Sequence, residues 1–140
     1  MKYDPLYVQF IHHFNVTQDF YECHEVMEEL WLEEGRDPVY QGLLQVAVGL
    51  YHHDNDNESG AIKLMEAGIE KLSGCEDAER LGIDLVRLLE QSRHYLVNLH
   101  QRGLAWSYQP FPIVILDTEL EQLVAALHLY DAEEHDHSNR

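Results

Sequence analysis

The sequence predicts an all-α protein, a single-domain bundle of about five to six helices with an extended, proline-containing arm near residues 105–116. Three observations predict it. Apolar residues recur at three- and four-residue intervals almost throughout. Helix-start signals and glycine stops fall between those periodic stretches. Only AWSYQPFPIVIL, residues 105–116, breaks the period, and its two prolines forbid helix.

The first helix is DPLYVQFIHHF, with Asp4 as N-cap and Pro5 in the first turn, where the missing N–H costs nothing. Thr17 is expected to cap a second helix that runs to about Glu34 and stops at Gly35. Asp37-Pro38 repeats the start signal for a third helix, ending near His53 at the polar stretch DNDNESG. Asn57 or Ser59 caps a fourth that ends near Ser73-Gly74. CEDAERLGID reads as a loop with a short helical turn. A fifth helix starts near Asp84, carries Leu85, Leu88, Leu89, Ser92, Tyr95, Leu96 and Leu99 on one stripe, and closes at Gly103. No strand is expected to pair with the arm, which packs on the bundle. Thr118-x-x-Glu121 has the form of a capping box and opens a last helix with Leu120, Leu123, Val124, Leu127 and Tyr130 inward. Residues 1–132 are thus expected to form the domain, and 133–140 a frayed acidic tail whose His135 and His137 are no metal site.

Composition narrows the function classes. Lys and Arg number 9 against 26 Asp and Glu, a formal net charge of −17, so nucleic acid and anionic membrane surfaces would be repelled. Cys23 and Cys75 form no C-x-x-C pair and read as reduced thiols, and MKYDPLYVQF lacks the apolar stretch of a signal peptide. A cytoplasmic protein is expected. No apolar run reaches the roughly 20 residues of a membrane-spanning helix.

The candidate site comes from two helical wheels. On residues 20–34, Phe20, Cys23, Met27, Leu30 and Trp31 share one arc that Tyr21 and Leu32 extend, while Glu22, Glu25, Glu29 and Glu33 lie opposite. His24 and Glu28 fall inside the apolar arc, one turn apart, so the wheel predicts a buried imidazole–carboxylate pair needing further partners. The third helix is apolar nearly all round, as a central helix must be, with Gly42 and Gly49 where another backbone can approach. Its polar stripe is Gln41, Gln45 and His52. One internal cluster is therefore expected: His24, Glu28, Gln41, Gln45 and His52, with Trp31 as a floor.

Such a cluster can fix helix register, hold a small ligand, or bind a metal. HEVME lacks the second histidine of H-E-x-x-H zinc proteases, and the expected helices hold no E-x-x-H pair. The chain has no G-x-S-x-G, no phosphate loop and no dinucleotide glycine pattern. The leading expectation is a binding or scaffolding domain whose cluster opens to a small ligand. The alternative is a metal-dependent, hydrolase-like enzyme using His24, Glu28 and His52 around a divalent transition metal. The glutamate face could meet a basic partner protein, and the arm or last helix could support a homodimer.

Phe14-Asn15, Phe20, His24-Glu25, Glu28 and Trp31, then Gln41-Gly42-Leu43-Leu44-Gln45, Ala47 and Asn57-x-x-Gly60-Ala61, resemble the signature of domain-of-unknown-function family 309 of bacteria and archaea. The resemblance covers roughly residues 14–74, with Gly82-Ile83-Asp84 as a further echo, and leaves out the segment after 104. It implies a small all-helical cytoplasmic domain and no particular activity. The motif positions it carries over are His24, Glu25, Glu28, Trp31, Gln41, Gln45, Asn57, Gly60 and Ala61. Residues 54–58 are strongly acidic where the family implies a more basic turn, which argues against an anionic partner there.

Overall fold

Each helix begins where a side chain can accept one of its free N–H groups, and the caps fix the element order. The computed structural model describes residues 2–75 and 79–127, so the expectations for Tyr130 and for the tail with His135 and His137 lie outside the described residues. Helix α1 (Pro5–His12) is capped by Asp4, whose carboxylate accepts from the Leu6 N–H at 2.8 Å. Helix α2 (Phe20–Glu33) is capped by Asp19, which accepts from Glu22 at 3.1 Å. Thr17 is not its cap. That residue closes a five-residue π-helical turn, His13–Thr17, that continues α1.

Helix α3 (Pro38–Asp54) starts on Asp37, α4 (Glu58–Ser73) on Asn57, and α5 (Leu85–Arg102) on Asp84, each as the sequence signals. A short 3₁₀ turn, Glu79–Leu81, precedes α5, and the Tyr7 hydroxyl donates to the Leu81 carbonyl at 2.7 Å to hold it. The last helix, α6, is described over 118–127, and its cap is Asp117 rather than Thr118. The described residues are thus all-α, with six helices and a single isolated β-bridge.

Helix α3 is the axis of the core, with Val39, Leu43, Val46, Ala47 and Leu50 buried between α2 and α4. Glycines set how close α4 lies. A Cβ on Gly49 would stand 3.2 Å from the Met65 nitrogen, and one on Gly68 would stand 3.0 Å from the Gly42 carbonyl oxygen. The two backbones therefore touch, as the pattern of small residues on α3 predicts.

The arm is pinned at three places. The Asn15 amide donates to the Ile113 carbonyl at 2.9 Å and accepts from the Ile113 N–H at 2.8 Å. Farther on, Ile115 bridges Ile83 antiparallel, with Asp84 N–H donating to Val114 and Leu116 N–H donating to Gly82, both at 2.8 Å. The expectation that nothing pairs with the arm is therefore corrected: residues 82–84 form too short an extended run to register as a strand, yet offer two backbone partners. At its start, Trp106 is buried against Tyr95, ring centroids 4.5 Å apart.

Candidate functional site

The buried face of α2 is Phe20, Cys23, Met27 and Leu30. His24 and Glu28 sit about a quarter-turn round from it. Their side chains are 38% and 49% exposed, so the expectation of a buried pair is corrected. The error came from Tyr21 and Leu32, which widen the apolar arc on the wheel but are themselves 53% and 51% exposed. The expected adjacency is present: His24 Nε2 lies 3.1 Å from Glu28 Oε2, and Nδ1 lies 3.3 Å from Glu25 Oε1. Only a doubly protonated ring can donate to both carboxylates at once.

Two adjoining depressions run along the seam of α2 and α3, of about 240 and 270 Å³. His24, Trp31, Gln41, Leu44, Gln45, Val48 and Leu64 wall the first; Tyr21, His24, Val48, Tyr51 and His52 wall the second. His24 and Val48 belong to both, so the two form one groove. The structure thus places five of the six candidate residues on its walls, with the Glu28 carboxylate above on His24. Trp31 Nε1 and Gln45 Oε1 are both shut off from water with no hydrogen-bond partner among the described residues. A buried donor and a buried acceptor without partners, on two residues that wall one depression, are unusual, because each costs about 1–3 kcal/mol unless something answers it.

The metal reading fares differently. Among the described residues no group of three or more His, Cys, Asp or Glu side chains is arranged to hold a metal ion. His52 is drawn away toward the α3–α4 turn, where its Nδ1 lies 3.3 Å from the Asn57 Nδ2 that donates to it. His24, Glu28 and His52 therefore do not form the expected ligand set. Asn57 is also the α4 cap, accepting from the Gly60 N–H at 3.0 Å, and a Cβ on Gly60 would meet the Asn57 amide at 2.6 Å. Asn57-x-x-Gly60 is thus a turn motif.

A larger depression, about 620 Å³, opens on the other side of Gln45 between Asp37, Lys71 and Arg80. Arg80 pairs with Asp37 there at 2.7 Å.

The buried polar cluster that the wheels sought lies on the opposite side of α3. His53 is 3% exposed and bonded through both ring nitrogens: Nδ1 accepts from the Tyr95 hydroxyl, and Nε2–H donates to the Trp106 carbonyl at 3.0 Å. A carbonyl can only accept, so the neutral Nε2–H tautomer fits both partners. Burial pushes the Tyr95 phenol up to about 12, against the opposing effect of a hydrogen bond with the Gln109 backbone. The imidazole stacks on the Trp106 indole at 5.8 Å and 12°. This network joins α3, α5 and the arm. Its sequence signal was the spacing Val46, Leu50, His53, which puts His53 rather than His52 on the buried stripe.

Comparison with known proteins places these residues in a family. The model for the domain of unknown function DUF309 matches residues 7–64, which includes the π turn, α2, α3 and the start of α4. Over 124 residues the chain is 35% identical to the uncharacterized protein YpuF of Bacillus subtilis, covering 86% of this chain and 70% of that protein. A match of that extent runs past residue 104 into the arm, farther than the motif resemblance reached. An uncharacterized protein of Aquifex aeolicus is 31% identical over 72 residues, 49% of this chain and 21% of that longer protein. No solved structure matches. With the family model centred on the groove-forming helices and a relative matched well beyond it, this chain belongs to the DUF309 family.

Proposed function

We propose that the chain is a binding module and that the α2–α3 groove, walled by His24, Trp31, Gln41, Gln45 and His52, holds a ligand carrying an amide group. The observation that carries this reading is a pair of unanswered buried groups on two residues of the groove wall, an indole N–H without an acceptor and an amide oxygen without a donor. An amide supplies both answers in one planar unit, a carbonyl for Trp31 and an N–H for Gln45. Leu44, Val48 and Leu64 supply the apolar contact that a groove of this size needs to retain a ligand. The described residues hold no helix long and apolar enough to cross a membrane, and a cytoplasmic setting with reduced thiols suits the module.

The chain has two tryptophans, so its indole N–H resonances can be assigned with one variant. Titration with N-methylacetamide should shift the Trp31 indole resonance saturably, leave that of Trp106 unmoved, and lose the effect in Gln45→Leu. Equal, linear drift of both resonances would end the proposal.

A further inference from the structure

We infer that the natural occupant of this groove is an extended, basic segment of a partner polypeptide; the inference rests on the amide-binding reading above and names the class of ligand. Three features point to it. The groove follows α3 from Gln41 to His52, about 17 Å at 1.5 Å per residue, the reach of roughly five extended residues and more than a metabolite of ordinary size requires. An extended backbone repeats C=O and N–H groups along its edge, the very groups that Trp31 Nε1 and Gln45 Oε1 lack. Alternate side chains of such a segment would point down onto Leu44, Val48 and Tyr51 and up to the rim.

The α2 side of the rim is acidic. Every acidic or basic side chain of α2 other than His24 is a glutamate: Glu22, Glu25, Glu28, Glu29 and Glu33. Glu25 and Glu28 stand beside the groove on His24, 51% and 49% exposed. The chain as a whole carries −17. A cation already rests at one end of the groove: the Arg36 guanidinium lies 5.4 Å from the centroid of the Trp31 ring. Helix α4 is nearly balanced, with Lys63 and Lys71 against Glu58, Glu66 and Glu70, so the field that selects a partner comes chiefly from α2. The same rim disfavours a second copy of this chain, because a self-complementary contact would bring two sets of these carboxylates together.

The test uses the full chain and two blocked heptapeptides, acetyl-Lys-Leu-Lys-Leu-Lys-Leu-Lys-amide and its counterpart with glutamate for lysine. The lysine peptide should shift the Trp31 indole resonance, displace N-methylacetamide, and weaken as salt rises; the glutamate peptide should do none of these. Glu25→Gln and Glu28→Gln, exposed positions that leave packing intact, should each weaken the lysine peptide about threefold. Val48→Lys should abolish binding while the helical circular dichroism is retained.

If N-methylacetamide saturates the Trp31 site but neither peptide displaces it, the groove takes small molecules and this inference falls while the amide reading stands. Silence from all three probes ends both. Equal binding of the two peptides, or indifference to both glutamine substitutions, overturns the charge selection. Sedimentation showing a dimer that Val48→Lys dissociates would mean the groove is covered by another copy of the chain, and would also overturn it.

Discussion

Asn15 and Ile113 clasp each other through two hydrogen bonds, amide to main chain, at 2.9 and 2.8 Å. The side chain thereby does for the arm what a neighbouring strand would do, and it does so at a residue, Ile113, that is 2% exposed. Replacing Asn15 with Ala leaves a donor and an acceptor open near the core and should lower stability by about 2 kcal/mol in urea unfolding. Hydrogen exchange should rise first at Ile113 and neighbouring arm amides. Unchanged protection there would mean that the prolines and Trp106 alone hold the segment.

Tyr95→Phe removes the hydroxyl that donates to His53 Nδ1 and preserves the ring packed against Trp106. The expected cost is about 1–3 kcal/mol, from a buried ring nitrogen left without a donor. Trp106 fluorescence should change as the arm loosens; a stability within about 0.3 kcal/mol of the parent, the noise of the method, would contradict the assignment of tautomer and partner.

The phenols predict an alkaline limit. Burial pushes Tyr95 up to about 12, and it likewise raises Tyr7 and Tyr108 well above the usual range near 10. A group whose folded pKa is raised contributes its stabilisation fully below the unfolded value, and loses it as pH climbs toward the folded one. Stability should therefore hold up to about pH 10 and then fall, with phenolate absorbance from these rings appearing together with loss of helix. Phenolate signal from all eight tyrosines before any unfolding would refute the burial of these three.

The close contact of α3 with α4 distinguishes two glycines. A Cβ on Gly68 would stand 3.0 Å from both the Gly42 carbonyl oxygen and the Val46 nitrogen, backbone atoms that cannot swing aside. Gly68→Ala should destabilise by about 1–3 kcal/mol despite the better helix propensity of alanine. At Gly74 the nearest atom would be 3.6 Å away, so Gly74→Ala should be close to neutral by thermal unfolding. Matching effects at the two sites would mean that the helices separate freely.

The helices were legible because local chemistry writes their ends. Asp4, Asp37, Asn57 and Asp84 each precede a periodic stretch and each caps it. Where two capping residues compete within a few positions, Thr17 with Asp19 and Asp117 with Thr118, the aspartates win, and sequence alone could not rank them. The groove was legible as a set of residues but not as an environment. A wheel gives the azimuth of His24 and Glu28 but not which arcs neighbouring helices cover, and an exposed Tyr21 looks the same as a buried one. His53 was missed for the complementary reason: its partners, Tyr95 and the Trp106 carbonyl, are tens of residues away, and a main-chain acceptor leaves no trace in side-chain patterns.

The π-helical turn at His13–Thr17 carries Asn15 at its middle. Such a turn accommodates one residue more than an α-helical turn, so deleting a single residue there would restore α geometry and remove the bulge that presents Asn15. Asn15 would then face away from Ile113, and the chain's opening segment would lose its register with the arm. Length variation among relatives should accordingly spare these five positions.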